Sequence, residues 1–356
     1  MKITTLRRST IRCATIGTLV VVALTVAVCW FRPASIDGSN GRSIDILEQV
    51  ELGGLKQWIS IRGTDVDNPL LLFLHGGPGS ANLAKLRTQC PELERHFVVI
   101  NWDQRGAGKS RAYGSDVRDL TVDQLRQDTH QLVAYLRQRF GGRKVYLTGF
   151  SWGTVLGLWT AHDYPDDLAA FIGVGQIVSY AEGEALSLAY VRQVALDTRN
   201  RVALHDLEGI DPSYRANDWY PQLMRQRKWL LASGGVYHTA SSYDHEVWMM
   251  LRASEYSLID LAFWPSSSGR SLQAMWPDLM RLDFRKSVPE VTVPVYFLIG
   301  RHDYNAPSRL VETYYDQLSA PRGKHLIWFE ESAHDLFFDQ PDAVVNTIVG
   351  ISESIR

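Results

Sequence analysis

The sequence reads as an α/β protein: a mainly parallel sheet flanked by helices, with a helical cap inserted into it. Short apolar runs recur at 70–74, 97–101, 145–148, 168–174, 293–299 and 326–329, each of the length and character of a strand buried on both faces. Helical stretches lie between most of them, at 120–140 and 155–163 for example, and strands alternating with helices imply parallel pairing through right-handed crossovers. The alternation then breaks from 176 to 285. There the pattern is helical, at 181–197, 214–231 and 243–263, punctuated by Gly209, Pro212, Gly234-Gly235, Pro265 and Gly269. A block inserted at the C-terminal end of a strand lies over the crevice where such sheets bind ligands. The expected organisation is a core of 44–175 and 286–356 with a cap of 176–285.

The elements before the first parallel strand are of another kind. Lys2, Arg7, Arg8 and Arg12 precede an uncharged run at 13–31, about the roughly 20 residues that a membrane-spanning helix needs. Trp30 and Phe31 stand where an interfacial aromatic belongs, and the basic cluster orients the N-terminus to the cytoplasm. The expectation is a single-pass anchor with the catalytic domain on the far side. The alternative is a cleaved signal peptide, for which Ala27-Val28-Cys29 is a poor cleavage site. Residues 32–43, with Pro33, Gly38 and Gly41, read as a tether. β-rich segments at 46–52 and 55–61, split by Gly53-Gly54, read as a hairpin.

Composition narrows the function. The chain has 356 residues, 45% hydrophobic and 21% charged, with a net charge of -2, so nothing electrostatic points to a nucleic-acid partner. Of the three cysteines only Cys90 lies outside the N-terminal apolar run, which leaves the compartment open. No C-x-x-C or H-E-x-x-H pattern appears, so neither a metal nor any other cofactor is called for. Gly108-Lys109-Ser110 imitates the end of a phosphate-binding loop, but that motif's first glycine would fall on Asp103.

Gly149-Phe150-Ser151-Trp152-Gly153 sits between a strand and a helix, the context of a nucleophile elbow. The turn is too tight for side chains beside the serine, whose hydroxyl it exposes at the sheet edge. A serine nucleophile needs a base, and the base an orienting acid, in the chain order serine, acid, histidine. Asp303 follows the strand at 293–299 and His334 the strand at 326–329, so both fall at strand ends in that order. Glu330 and Asp335 are alternative acids, and His302 an alternative base. His75-Gly76-Gly77-Pro78-Gly79 follows the strand at 70–74. With the N–H of Trp152, that of Gly77 is the expected oxyanion donor; Gly76 is the alternative. Asp103 and Arg105, in Trp102-Asp-Gln-Arg-Gly106, read as loop braces, since no catalytic step lacks a residue.

His75-Gly-Gly-Pro-Gly79, Trp102-Asp-Gln-Arg-Gly-Ala-Gly108 with Ser110, and Gly149-Phe-Ser-Trp-Gly153 together resemble the proline iminopeptidase-like branch of the α/β-hydrolases. The resemblance spans most of 44–356. It implies the α/β-hydrolase fold with an eight-stranded sheet and helical cap, a Ser151, Asp303, His334 triad, and release of an N-terminal proline from short peptides. The branch's Trp-Glu-Gly and Arg-Ile-Glu-Asn-His-Tyr-Phe-like segments, which bind the substrate amine, are absent. So is its cysteine before the proline that follows the acid, where Ala306 precedes Pro307. Glu182, Glu184, Glu208, Glu246 and Glu255 are the cap acids that could serve instead. The expected activity is hydrolysis of an ester or amide of a small molecule or short peptide through an acyl-enzyme. An esterase or lactonase without aminopeptidase specificity, and a non-catalytic binding protein of the same fold, are the alternatives.

Overall fold

A computed structural model describes residue 36 and residues 41–111 and 120–355. Eight strands form one sheet: β1 (Ile44–Leu52), β2 (Leu55–Gly63), β3 (Leu70–Leu74), β4 (Val98–Trp102), β5 (Val145–Phe150), β6 (Leu168–Val174), β7 (Val295–Gly300) and β8 (Lys324–Phe329). Their spatial order is β1-β2-β4-β3-β5-β6-β7-β8. β2 runs antiparallel to β1 and β4; every other pairing is parallel. The protein has the α/β-hydrolase fold.

Burial explains the sequence pattern. β3, β4 and β7 are buried along their whole length, because helices cover both faces. Leu70, Leu72 and Leu74 enter one core cluster while Leu71 and Phe73 enter the other, as the two-residue repeat of a strand requires. β1 alternates between half-buried and exposed positions over most of its length. β8 is the other edge and is only partly buried, against the expectation of two covered faces: among the described residues it has a neighbouring strand on one side alone.

Helices of eight residues or more are numbered α1 (Val122–Arg139), α2 (Trp152–Asp163), α3 (Tyr180–Asp197), α4 (Trp219–Ala232), α5 (Asp244–Leu251), α6 (Leu258–Leu279), α7 (Ser308–Gln317) and α8 (Pro341–Ile355). α3 to α6 fall between β6 and β7, which pair directly through Phe171↔Val295 to Val174↔Leu298. The single helix expected over 243–263 is two. The first ends at Leu251, and Ser257 starts α6 with a reciprocal cap: its side chain accepts from Asp260 N–H, and Asp260 accepts from Ser257 N–H at 2.9 Å. α6 then continues through Pro265, Gly269 and Pro277, although the sequence suggested Pro265 and Gly269 as breakers.

The expected single-pass membrane location needs correction. Among the described residues no helix is long and apolar enough to cross a membrane. α6 has the length, but Asp260, Arg270 and Asp278 interrupt it, and each is costly in hydrocarbon. The anchor assigned to 13–31 and its basic flank lie outside the described residues, as does most of the tether.

Candidate active site

Ser151 occupies the one-residue turn between β5 and α2, with φ 53° and ψ −119°. A side-chain-bearing residue held there costs on the order of 1–3 kcal/mol, so the surroundings must enforce it. Ser151 N–H donates to Val174 O at 3.0 Å, and Ser151 O accepts from Thr154 N–H at 2.8 Å and Thr154 Oγ1 at 2.6 Å. The flanking glycines are a steric necessity. A Cβ on Gly149 would lie 2.5 Å from Gly153 O, and one on Gly153 would lie 2.0 Å from Leu74 O.

Asp303 follows β7 and His334 follows β8, and the fold brings their side chains together. His334 Nδ1 lies 2.8 Å from Asp303 Oδ2. Asp303 Oδ1 accepts from the N–H groups of Asn305 and Ala306 at 2.9 and 2.8 Å. An ionised carboxylate only accepts, so the proton of a neutral His334 is on Nδ1 and Nε2 has its lone pair free. Nε2 is buried with no hydrogen-bond partner among the described residues. The ring packs against Phe150, with centroids 5.2 Å apart. His334 N–H donates to Val236 O at 2.9 Å, a contact with the segment after α4. Ser151 and His334 line one cavity without a direct hydrogen bond between them.

The loop after β3 is braced from beneath. Gln104 N–H donates to His75 Nε2 at 3.1 Å, which puts the imidazole proton on Nδ1, 2.7 Å from Gly76 O. Burial pushes His75 down to about 4, which keeps it neutral. The Gln104 side chain joins the two expected oxyanion elements. Its Nε2 donates to His75 O at 3.0 Å, and its Oε1 accepts from the Trp152 indole at 2.9 Å. Gly77 has φ 118°, and Trp152 opens α2, where main-chain N–H groups have no helical acceptor. Gly76 also lines the cavity, and a Cβ on it would crowd Ser151 Cβ at 3.2 Å. Sequence reasoning missed Gln104; its only signal was its place at the end of β4.

Asp103 and Arg105 brace loops. Arg105 binds Asp128 at 2.8 and 3.1 Å, and Asp103 accepts from Tyr256 OH at 2.7 Å and Lys109 N–H at 2.8 Å. His302 stacks on His238, away from the cavity lining. Glu330 is held by Arg301.

The cavity measures about 640 Å³ between sheet and cap. Glu184 and Glu246 line it; Glu182, Glu208 and Glu255 do not. Arg227 neutralises Glu184, with one contact at 2.9 Å. Glu246 accepts from Tyr237 OH at 2.7 Å, and burial pushes its carboxyl upward. Of the cap tryptophans, Trp264 and Trp276 reach the cavity. His245, Glu246 and Asp335 lie close enough to share an ion. However, Lys85 Nζ sits 2.5 Å from Asp335 Oδ2, and its charge opposes a second cation there.

Residues 69–341 match the family described as the alpha/beta hydrolase fold, and the chain belongs to that family as an α/β-fold hydrolase. Its relatives include a probable aminopeptidase of Bacillus subtilis, YbaC, 31% identical over 310 residues, which cover 86% of this chain and 96% of that protein. A proline iminopeptidase of Neisseria meningitidis serogroup B is 30% identical over 107 residues, 30% of this chain and 32% of that one. Among solved structures, a proline iminopeptidase-related protein from Thermus thermophilus superposes with a TM-score of 0.62 at 21% identity, covering 88% of this chain and 98% of its own. An esterase from Exiguobacterium antarcticum gives 0.58 at 18%, covering 86% and 100%. These two structural likenesses speak for the fold alone.

Proposed function

We propose that this protein is a serine hydrolase that cleaves an ester or amide bond through an acyl-enzyme, with Ser151, His334 and Asp303 as its triad. One observation carries the reading. A serine in a strained turn lines the same cavity as an imidazole whose Nδ1 is tied to Asp303 and whose Nε2 has no partner among the described residues. Ser151 Oγ attacks the substrate carbonyl carbon as His334 Nε2 takes its proton. The oxygen that becomes negative is met by the N–H groups of Gly77 and Trp152, each worth roughly 3 kcal/mol. The tetrahedral species collapses, and the leaving group departs with the proton from His334. Water then adds to the acyl-enzyme, losing its proton to His334, and Ser151 regains a proton as the acid product leaves.

The B. subtilis relative, similar over most of both chains, favours an aminopeptidase. The cavity's charges favour an esterase: Glu184 and Asp335 are each held by a cation, which leaves Glu246, among the described acids that line the cavity, to meet a substrate amine. A fluorophosphonate probe is expected to label the wild type and not Ser151→Ala; an unlabelled wild type at neutral pH rejects the mechanism. A panel of proline, alanine and leucine anilides, free or N-blocked, against short acyl esters separates the substrate classes. Preference for N-blocked amides rejects the aminopeptidase.

A further inference from the structure

The cavity contains a polar cluster that the triad does not use. Lys85 and Asp335 form an ion pair at 2.5 Å, with side chains 4% and 2% exposed. Lys85 follows the oxyanion loop, and Asp335 follows His334. The ammonium also faces the Phe150 and Phe337 rings, 5.1 and 5.7 Å from their centroids. Asp335 Oδ1 is buried without a partner among the described residues, and so is Asn82 Oδ1. Asn82 is one turn before Lys85, whose N–H donates to Asn82 O at 3.2 Å. All three residues line the cavity. Buried acceptors left unpaired are costly, by about 1–3 kcal/mol each, so two of them on one wall mark where a ligand's donors belong.

Charge and position narrow the ligand. Lys85 already neutralises Asp335, so the pair calls for a donor and not for a full positive charge. Glu246, the nearby acid, has its own donor in Tyr237 OH. Phe150 packs against both the Lys85 ammonium and the His334 ring, which puts the cluster on His334's side of the cavity. The group that takes a proton from His334 is the leaving group. We propose that Asn82 and Asp335, with Lys85 holding Asp335 in place, form a subsite for an amide N–H carried by the leaving portion of the substrate. The subsite rests on the serine-hydrolase reading and adds a substrate class to it: leaving groups with a second amide.

The test uses butyrate esters whose leaving alcohols differ only at the amide nitrogen: glycolamide, N-methylglycolamide and N,N-dimethylglycolamide. Wild-type protein is expected to favour the first two over the third by about tenfold in kcat/KM. The ratio is expected to fall to within about twofold in Asn82→Leu and in the double variant Lys85→Met/Asp335→Leu, which replaces the buried pair with apolar groups. Should the double variant fail to fold, the uncharged Asn82→Leu change decides. Equal rates on all three esters in the wild type overturn the subsite, and so does a ratio kept in the variants while all rates fall together. Preference for the choline ester over the three, lost in the variants, also overturns it, in favour of a cation seat. If no ester is cleaved and Ser151 resists the fluorophosphonate, the hydrolase reading falls with it; cleavage without preference removes the subsite alone.

Discussion

At the scale of single residues, backbone geometry sets the strictest requirements. A methyl on Gly153 would meet Leu74 O, a backbone atom that cannot rotate away. Gly153→Ala should therefore destabilise the fold by on the order of 3 kcal/mol or more, read from urea unfolding. Asp303→Asn removes the acceptor that fixes the His334 tautomer and should lower kcat by about 10⁴ while the protein stays folded. His75 gives a pH signature. Its folded value of about 4 lies below the unfolded 6.5, so the unfolded chain binds the extra proton between them. Its contribution is complete above pH 6.5 and is lost as pH falls toward 4, about 3 kcal/mol in all. Asp103, pushed up to about 7 by burial, acts oppositely: it favours the folded state below pH 3.8 and loses that as pH rises through 7. The comparison that isolates His75 is wild type against His75→Gln, whose unfolding midpoint should fall less between pH 7 and 4.5. Ser151, Asp303 and His334 were legible as residues because each follows a strand, and strand ends are where this sheet gathers side chains. Gln104 and Lys85 were not, because what defines them is a partner 29 or 250 positions away.

Among elements, α6 shows where local pattern and packing part. Its start was written in Ser257-x-x-Asp260, and Ser257→Ala should cost about 1 kcal/mol of stability, measurable by thermal unfolding. Its length was not. Pro265 and Pro277 each remove a helical hydrogen bond, yet the helix persists because Ser267, Ser271, Met275, Trp276 and Leu279 are buried along it. Packing of one face supplies most of a helix's stability in a protein. The break before α6 has a tertiary cause as well: Tyr256 turns inward there to reach Asp103. β8 misled in the other direction, since an apolar run does not reveal that its outer neighbour is missing.

For the molecule as a whole, the question is how the cap is fastened to the sheet. Tyr256 OH donates to Asp103 and accepts from Leu83 N–H at 2.9 Å. Glu255 takes both arms of Arg87 at 2.6 and 2.7 Å, and the Trp264 indole donates to Ala81 O at 3.1 Å. All three ties land on the segments that follow β3 and β4, so the cap holds the stretch after the His75–Gly79 loop while Gln104 braces that loop itself. Tyr256→Phe leaves buried Asp103 and Leu83 groups unpaired and should cost about 1–3 kcal/mol. The loss should appear as faster proteolysis within 176–285, before the sheet unfolds. The alternation of strands and helices was enough to read the core, because every crossover except the one from β6 to β7 is local in the chain. These three ties join residues more than 150 positions apart, and no periodicity encodes them.

The direct pairing of β6 with β7 has a further consequence. The chain leaves the C-terminal end of β6 for its long helical excursion and comes back at the start of the adjoining parallel strand, Val174 standing opposite Leu298 and Val295 opposite Phe171, so the sheet fixes the exit and re-entry points whatever lies between. The reacting groups stand on a frame that does not register the size of the excursion. Grafting a helical block of another length into the excursion, with the contacts of Val236, Glu255, Tyr256 and Trp264 kept, should then change which molecules are accepted while Ser151 still reacts with the phosphonate. Selectivity and reactivity in this architecture are separable inheritances.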